Sequence, residues 1–119
     1  MKVAIVNFPG TNCERDSKYA FDKLGCETQI IWHKEIDINA DLIVLPGGFS
    51  HGDYLRTAAI AKFSPVMKAV LAHAARGGYI LGICNGFQML LELGLLAGAM
   101  NKNINLSFIS KFARRFKRQ

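Results

Sequence analysis

No apolar run in this 119-residue sequence approaches the roughly 20 residues that a membrane-spanning helix needs. The opening MKVAIVNFPG carries one lysine and a short apolar run that stops at Pro9-Gly10, so it reads as a first β-strand and not as a signal peptide. Cysteine is scarce: Cys13, Cys26 and Cys84 are odd in number, widely spaced and form no Cys-x-x-Cys pair. That spacing argues against a disulfide framework and a zinc ribbon, leaves no metal site to expect, and suits a reduced, cytoplasmic setting. Internal repeats, linkers and low-complexity tracts are absent too.

Half of the residues are hydrophobic and a fifth are charged, which excludes a disordered chain, and the length suits one domain. The net charge of +6 invites a nucleic-acid reading. Its distribution argues otherwise. Lys111, Arg114, Arg115, Lys117 and Arg118 crowd into an acid-free final segment, and without them ten cations face nine acids, a net charge of +1. Residues 1–110 therefore read as the folded unit, and 111–119 as a basic tail outside it.

Along that unit, short apolar strands alternate with amphipathic helical stretches. Strands are expected over 2–7, 27–33, 41–46 and 79–83, the third being continuously apolar like a central parallel strand. Helices are expected over 12–24, with Asn12 or Thr11 as cap and Gly25 as terminator, and over about 54–62. Another should start at Ser64-Pro65, with Ser64 as N-cap, and end at Gly77-Gly78; the last covers 85–93. A turn and a further strand over 104–110 would follow. This alternation predicts an α/β domain, a mostly parallel sheet with helices on both faces.

The strongest local signal is Gly82-Ile83-Cys84-Asn85-Gly86, between a buried strand and a helix. It has the form of a nucleophile elbow with cysteine as nucleophile. The two glycines relieve crowding where strand and helix meet. The turn projects the thiol past the carboxyl edge of the sheet, at a helix N-terminus whose partial positive charge favours a thiolate. The backbone N–H of Asn85 could then face a developing oxyanion. The competing reading is an inert buried cysteine between two packing glycines. A second signal, Pro46-Gly47-Gly48-Phe49-Ser50-His51-Gly52-Asp53, follows the third strand. Gly48, or failing that Gly47, could give another N–H to the oxyanion. The alternatives are a plain tight turn or a phosphate loop, and the loop lacks the Lys-Ser/Thr of the latter.

Three segments, NFPGTNCERD at 7–16, LPGGFSHGDYLR at 45–56 and LGICNGFQML at 81–90, resemble the class I glutamine amidotransferase subunits of phosphoribosylformylglycinamidine synthase, over about residues 1–108. The resemblance implies a flavodoxin-like domain, incomplete at the C-terminus, since family members are about twice this length. It implies Cys84 as the nucleophile that attacks the glutamine side-chain amide, Gly48 and Asn85 as the oxyanion hole, and Gly47 and Gln88 in the glutamine site. It further implies release of ammonia to a large synthetase subunit, with a small accessory subunit as a further partner. ATP and magnesium are expected on the synthetase, and no cofactor on this chain; membrane and nucleic-acid partners are not expected.

One part of the family pattern is missing. The family triad pairs the cysteine with a histidine and a glutamate from a later segment. Here no histidine follows Cys84, and the only later glutamate is Glu92, in the helix directly after it. His33 and His73 read as surface or boundary residues. His51, where the family carries an aromatic residue, usually tyrosine, is a candidate substitute base. Cys13 and Cys26 read as inert thiols, the leucines from Leu90 to Leu96 and Met89 as packing, and Asp53 with Arg56 as a solvated pair. Three functions compete: an amidotransferase piece whose base comes from a second chain, a non-catalytic module that binds the synthetase, and a nucleic-acid contact made by the tail. An incomplete sheet should also leave an open edge and uncovered apolar faces, and with them a tendency to self-associate.

Overall fold

The computed structural model describes residues 1–48 and 63–98. The helix expected over 54–62, the strand over 104–110, His51, the Asp53–Arg56 pair and the basic tail lie outside the described residues.

Four strands, β1 (Lys2–Asn7), β2 (Glu27–Trp32), β3 (Leu42–Leu45) and β4 (Tyr79–Gly82), form one parallel sheet in the order β2-β1-β3-β4. Helix α1 (Glu14–Lys23) joins β1 to β2, α2 (Val66–Ala75) precedes β4, and α3 (Asn85–Glu92) follows it. Parallel strands need such crossovers. The apolar run of β1 is central, and Val3, Ala4, Ile5 and Val6 are all fully buried. Their side chains alternate between two cores. Ala4 and Val6 join Ile43 and Leu45 under α2 and α3, through Val66, Met67, Val70, Met89 and Leu90. Val3, Ile5 and Val44 pack on the other face with Phe21 of α1 and with Cys26. Helices thus cover both faces, and the strand order reverses between β1 and β3, the place where open α/β sheets form a crevice at the carboxyl ends of their strands.

The helix starts differ from expectation. Cys13, not Asn12 or Thr11, occupies the N-cap of α1, with no side-chain cap. Thr11 is engaged elsewhere, its hydroxyl accepting from the Phe8 N–H at 3.1 Å. Pro65 holds the cap position of α2, again without a side-chain cap. The Ser64 hydroxyl pairs instead with His33 Nδ1 at 2.9 Å. Neither His33 nor His73 is a surface residue: both are buried, and His73 Nε2 lies 3.0 Å from the Tyr79 carbonyl oxygen. Hydrogen bonding lets an imidazole enter a core that its polarity alone would forbid. Leu96, expected to pack, is exposed.

A polar cluster ties α1 to β2. The Thr28 hydroxyl donates to the Asp22 carboxylate and accepts from Lys18 Nζ at 2.8 Å, while Lys18 also reaches Asp22 at 2.9 Å. The Thr28 hydrogen bond first, and then Lys18, hold the Asp22 carboxyl below its ordinary value of 3.8. A carboxylate with a depressed folded pKa adds stability above its unfolded value and loses that contribution as pH falls through the folded one. Urea midpoints measured from pH 6 downward should therefore fall more steeply below 3.8 in the natural chain than in Thr28→Val. Parallel curves would rule out this cluster as a source of acid sensitivity. The effect is small because the group is solvent-exposed.

Candidate active site

Strand β4 ends at Gly82, and the chain turns at once into α3. Cys84 is the hinge of that turn. It adopts φ 52° and ψ −107°, and it is the only non-glycine residue with positive φ among the described residues. An L-residue pays roughly 1–3 kcal/mol to stay in such a region and does so only where its surroundings over-determine it. The surroundings are visible: Ile83 N–H donates to Leu45 O at 3.0 Å, Gly86 N–H to Ile83 O at 2.8 Å, and Gln88 N–H to Cys84 O at 3.1 Å. Cys84 is exposed and not buried between the two packing glycines. Gly82 and Gly86 make the close approach possible. A Cβ on Gly86 would lie 1.8 Å from Leu45 O, and one on Gly82 would lie 2.8 Å from Gly86 O.

The glycine loop after β3 comes to the same place. A Cβ built on Gly47 would lie 3.4 Å from Cys84 Cβ and 4.0 Å from Cys13 Sγ, so this buried glycine stands between the two cysteines. Gly48, at φ 129°, forms an antiparallel bridge with Thr11, and a Cβ there would lie 2.5 Å from the Asn12 backbone nitrogen. The described parts of the three motif-bearing segments thus converge at the carboxyl edge of the sheet. Asn85 is buried as the first residue of α3, and its side-chain Nδ2 donates to Gln88 Oε1 at 3.0 Å, which orients the half-buried Gln88. Cys84, Gly47, Gly48, Asn85 and Gln88 are therefore brought together. The proximity of Cys13 was missed by sequence reasoning. The only hint was its place in a motif segment, because no local pattern tells that a loop after β1 will reach one after β3.

The two buried histidines do not join this cluster. His73 is bonded to the carbonyl at the start of β4, the end of the strand remote from Cys84. His33 follows β2, three strand positions from β4 in the sheet order, which at the usual strand spacing is about 14 Å away. Glu92 closes the eight-residue helix α3, about 10–12 Å along its axis from the elbow. Cavities of about 350 and 380 Å³ open at the amino ends of the strands, beside Lys2 and Glu27 and beside Asp41 and Tyr79, on the far side from the thiol. The described residues hold no group of three His, Cys, Asp or Glu placed for a metal ion, and no helix among them is long and apolar enough to cross a membrane.

Gly47→Ala isolates crowding at the thiol from damage to the fold. The added methyl meets Cys84 Cβ at ordinary contact distance. Stability should change by less than about 1 kcal/mol, while alkylation of Cys84 by iodoacetamide slows several-fold. An unchanged alkylation rate would show that the glycine does not border the thiol's approach path.

The whole chain, residues 1–119, matches the family described as the CobB/CobQ-like glutamine amidotransferase domain. Among curated proteins it is 71% identical over 111 residues to the phosphoribosylformylglycinamidine synthase subunit PurQ of Campylobacter jejuni, covering 93% of this chain and 50% of that one. The subunit of the same name from Sulfurimonas denitrificans is 61% identical over 113 residues, covering 93% of this chain and 50% of the relative. A solved structure, that of PurLQS from Thermotoga maritima, superposes with a TM-score of 0.78 at 43% identity, covering 82% of this chain and 46% of that one. The chain spans about half the length of the curated relatives it matches.

Proposed function

For a chain that belongs to the CobB/CobQ-like glutamine amidotransferase family, we propose that Cys84 is the nucleophile of a glutaminase half-site serving purine biosynthesis. The observation that carries this reading is the strained, exposed Cys84 between β4 and α3, with Gly47 against it. The thiolate sulfur attacks the side-chain amide carbon of glutamine and the C=O electrons move to oxygen. Backbone N–H groups at Gly48 and Asn85 stabilise that oxyanion, while Gly47 leaves room for the substrate and Gln88 walls the pocket. Collapse expels ammonia, which must take up a proton, and leaves a glutamyl thioester that water hydrolyses to glutamate. A base has to remove the thiol proton and return it to the leaving nitrogen.

Several features of the site agree with such a step. The elbow stands at the carboxyl edge of the sheet, and the curated relatives are named as subunits of phosphoribosylformylglycinamidine synthase. On this reading the ammonia passes to a synthetase subunit, with an accessory subunit as a further partner. ATP and magnesium act on the synthetase, this chain carries no cofactor, and the setting is cytoplasmic. The base belongs to the part of the relatives' length that this chain does not span, His51 being the in-chain alternative.

A glutamine-like electrophile that alkylates thiols, followed by peptide mass spectrometry, tests the assignment. Cys84 should be labelled, Cys13 and Cys26 spared, and excess glutamine should protect. Labelling of all three cysteines alike, or no protection, would overturn it and favour a module that only binds the synthetase. Glutamine hydrolysis by this chain alone should run roughly 10²–10⁴-fold below that of a full-length relative, the usual contribution of a positioned base. A rate equal to the relative's would place the base within this chain.

A further inference from the structure

Cys13 and Cys84 border one small space. The point where a Gly47 Cβ would stand lies 3.4 Å from Cys84 Cβ and 4.0 Å from Cys13 Sγ. The Cys13 sulfur is therefore within two ordinary van der Waals contacts of Cys84 Cβ, and residue 47 has no side chain to fill the gap between them. A disulfide asks for Cβ atoms roughly 3.5–4.5 Å apart, so the sulfurs meet when that gap closes. Both residues stand outside regular structure, each as the N-cap of the helix that follows it, Cys13 of α1 and Cys84 of α3. Rotation about each Cα–Cβ bond swings the sulfur without unwinding a helix.

The backbone keeps the two thiols near each other. Thr11 and Gly48 form a bridge between the loop that carries Cys13 and the loop that carries Gly47. The Cys13 carbonyl is fixed, accepting from Ser17 N–H at 3.0 Å and from the Ser17 hydroxyl at 2.9 Å. Cys84 is exposed and Cys13 half-buried beside it, the arrangement of an accessible sulfur with a second one in reserve. Cys26 differs on every count. It precedes β2 at the amino end of the sheet and packs against the core of Val3, Ile5 and Val44.

We infer that Cys13 is the resolving thiol of Cys84, and that a hydroperoxide drives the pair to a reversible disulfide. In the first step the Cys84 sulfur attacks one peroxide oxygen. An S–O bond forms, the O–O bond breaks, and the second oxygen leaves with the thiol proton as water or an alcohol. Cys84 is oxidised to a sulfenic acid and the peroxide is reduced. In the second step the Cys13 sulfur attacks the Cys84 sulfur. An S–S bond forms, the S–O bond breaks, and the hydroxide leaves with the Cys13 proton as water. A dithiol reverses the sequence by exchange. Without a resolving thiol the sulfenic acid proceeds to sulfinic and sulfonic acids, which no thiol reduces. While the disulfide lasts, the sulfur of Cys84 cannot attack glutamine. That consequence rests on the glutaminase reading, whereas the disulfide does not.

The test treats the dilute, reduced full chain with hydrogen peroxide, quenches with N-ethylmaleimide and maps the peptides without reduction. Cys13 should be joined to Cys84 within one chain, with Cys26 carrying the maleimide. Labelling of Cys84 by iodoacetamide should fall about tenfold or more and return with dithiothreitol. In Cys13→Ser the same peroxide should leave Cys84 as sulfinic or sulfonic acid, and dithiothreitol should restore no more than about a tenth of the labelling. Cys26→Ser should behave as the natural chain does. Three results would overturn the inference: Cys84 oxidised while Cys13 carries the maleimide, a disulfide found only between two copies, or equal recovery in Cys13→Ser. The peptide map of the natural chain decides even if a variant folds poorly. If the disulfide forms but excess glutamine does not slow it, the resolving role stands and the glutaminase reading fails. Glutamine-protected labelling of Cys84 with no link to Cys13 gives the converse.

Discussion

Gly86→Ala is expected to cost at least about 3 kcal/mol and to lower the urea midpoint of unfolding sharply. Overpacking a core side chain costs roughly 1–3 kcal/mol because neighbouring side chains can shift. Here the new methyl meets backbone: it would stand 1.8 Å from Leu45 O and 2.5 Å from Leu45 C. Leu45 is fully buried at the end of β3, and its carbonyl already accepts the Ile83 N–H. It cannot retreat without breaking the ladder that carries β4 into the elbow. The total stability of a small domain is only about 5–15 kcal/mol, so the loss is a large share of it. Gly25→Ala is the control. Gly25 has φ +81° with nothing within 4 Å of the new methyl, so it should cost only the roughly 1–2 kcal/mol of a left-handed backbone. Urea unfolding of both variants decides. If Gly86→Ala lost no more than Gly25→Ala, α3 would not be seated on β3, and the elbow geometry would be wrong.

Cys84→Gly should do the opposite, raising stability while destroying the proposed nucleophile. A non-glycine residue at φ 52° and ψ −107° stores strain, of the order of 1–3 kcal/mol. Glycine removes it, less the roughly 0.5–1 kcal/mol of extra chain entropy it loses on folding. A net gain of about 1 kcal/mol is expected, which for a chain of this size is a rise of about 4 °C in Tm. Cys84→Ala keeps the Cβ and therefore the strain, and its Tm should stay near that of the natural chain. The comparison of glycine with alanine separates strain from the loss of the thiol, since both variants lack it. Equal melting temperatures for the two would show that the turn stores no strain worth relieving.

How far the sequence could be read depended on whether a feature was local. The α/β class, the parallel sheet with helices on both faces and the elbow at Gly82–Gly86 were legible, because strand and helix periodicity and the turn glycines are encoded within a few neighbouring residues. The likeness to glutamine amidotransferases was legible for the same reason, in three short segments. Helix caps were less so. Ser64 and Thr11 have the chemistry of a cap, but each found a different partner, His33 Nδ1 and Phe8 N–H, that no local rule could rank. The burial of His33 and His73 was illegible because an imidazole is admitted to a core only by the hydrogen bond waiting there.

The sequence by itself determined where the described strands and helices form, which residue is the candidate nucleophile, and that no histidine follows it within these 119 residues. Only the tertiary structure decided which groups meet. It set Gly47 between Cys84 and Cys13, bridged Gly48 to Thr11, kept His33 and His73 away from the thiol, and placed β4 last in the order of the described strands, running straight into the elbow. The physical reason is one of range. Backbone preference and amphipathic period act over a few residues, whereas the order of strands in a sheet is settled by which apolar faces can be buried together, and that order fixes every distance at its carboxyl edge.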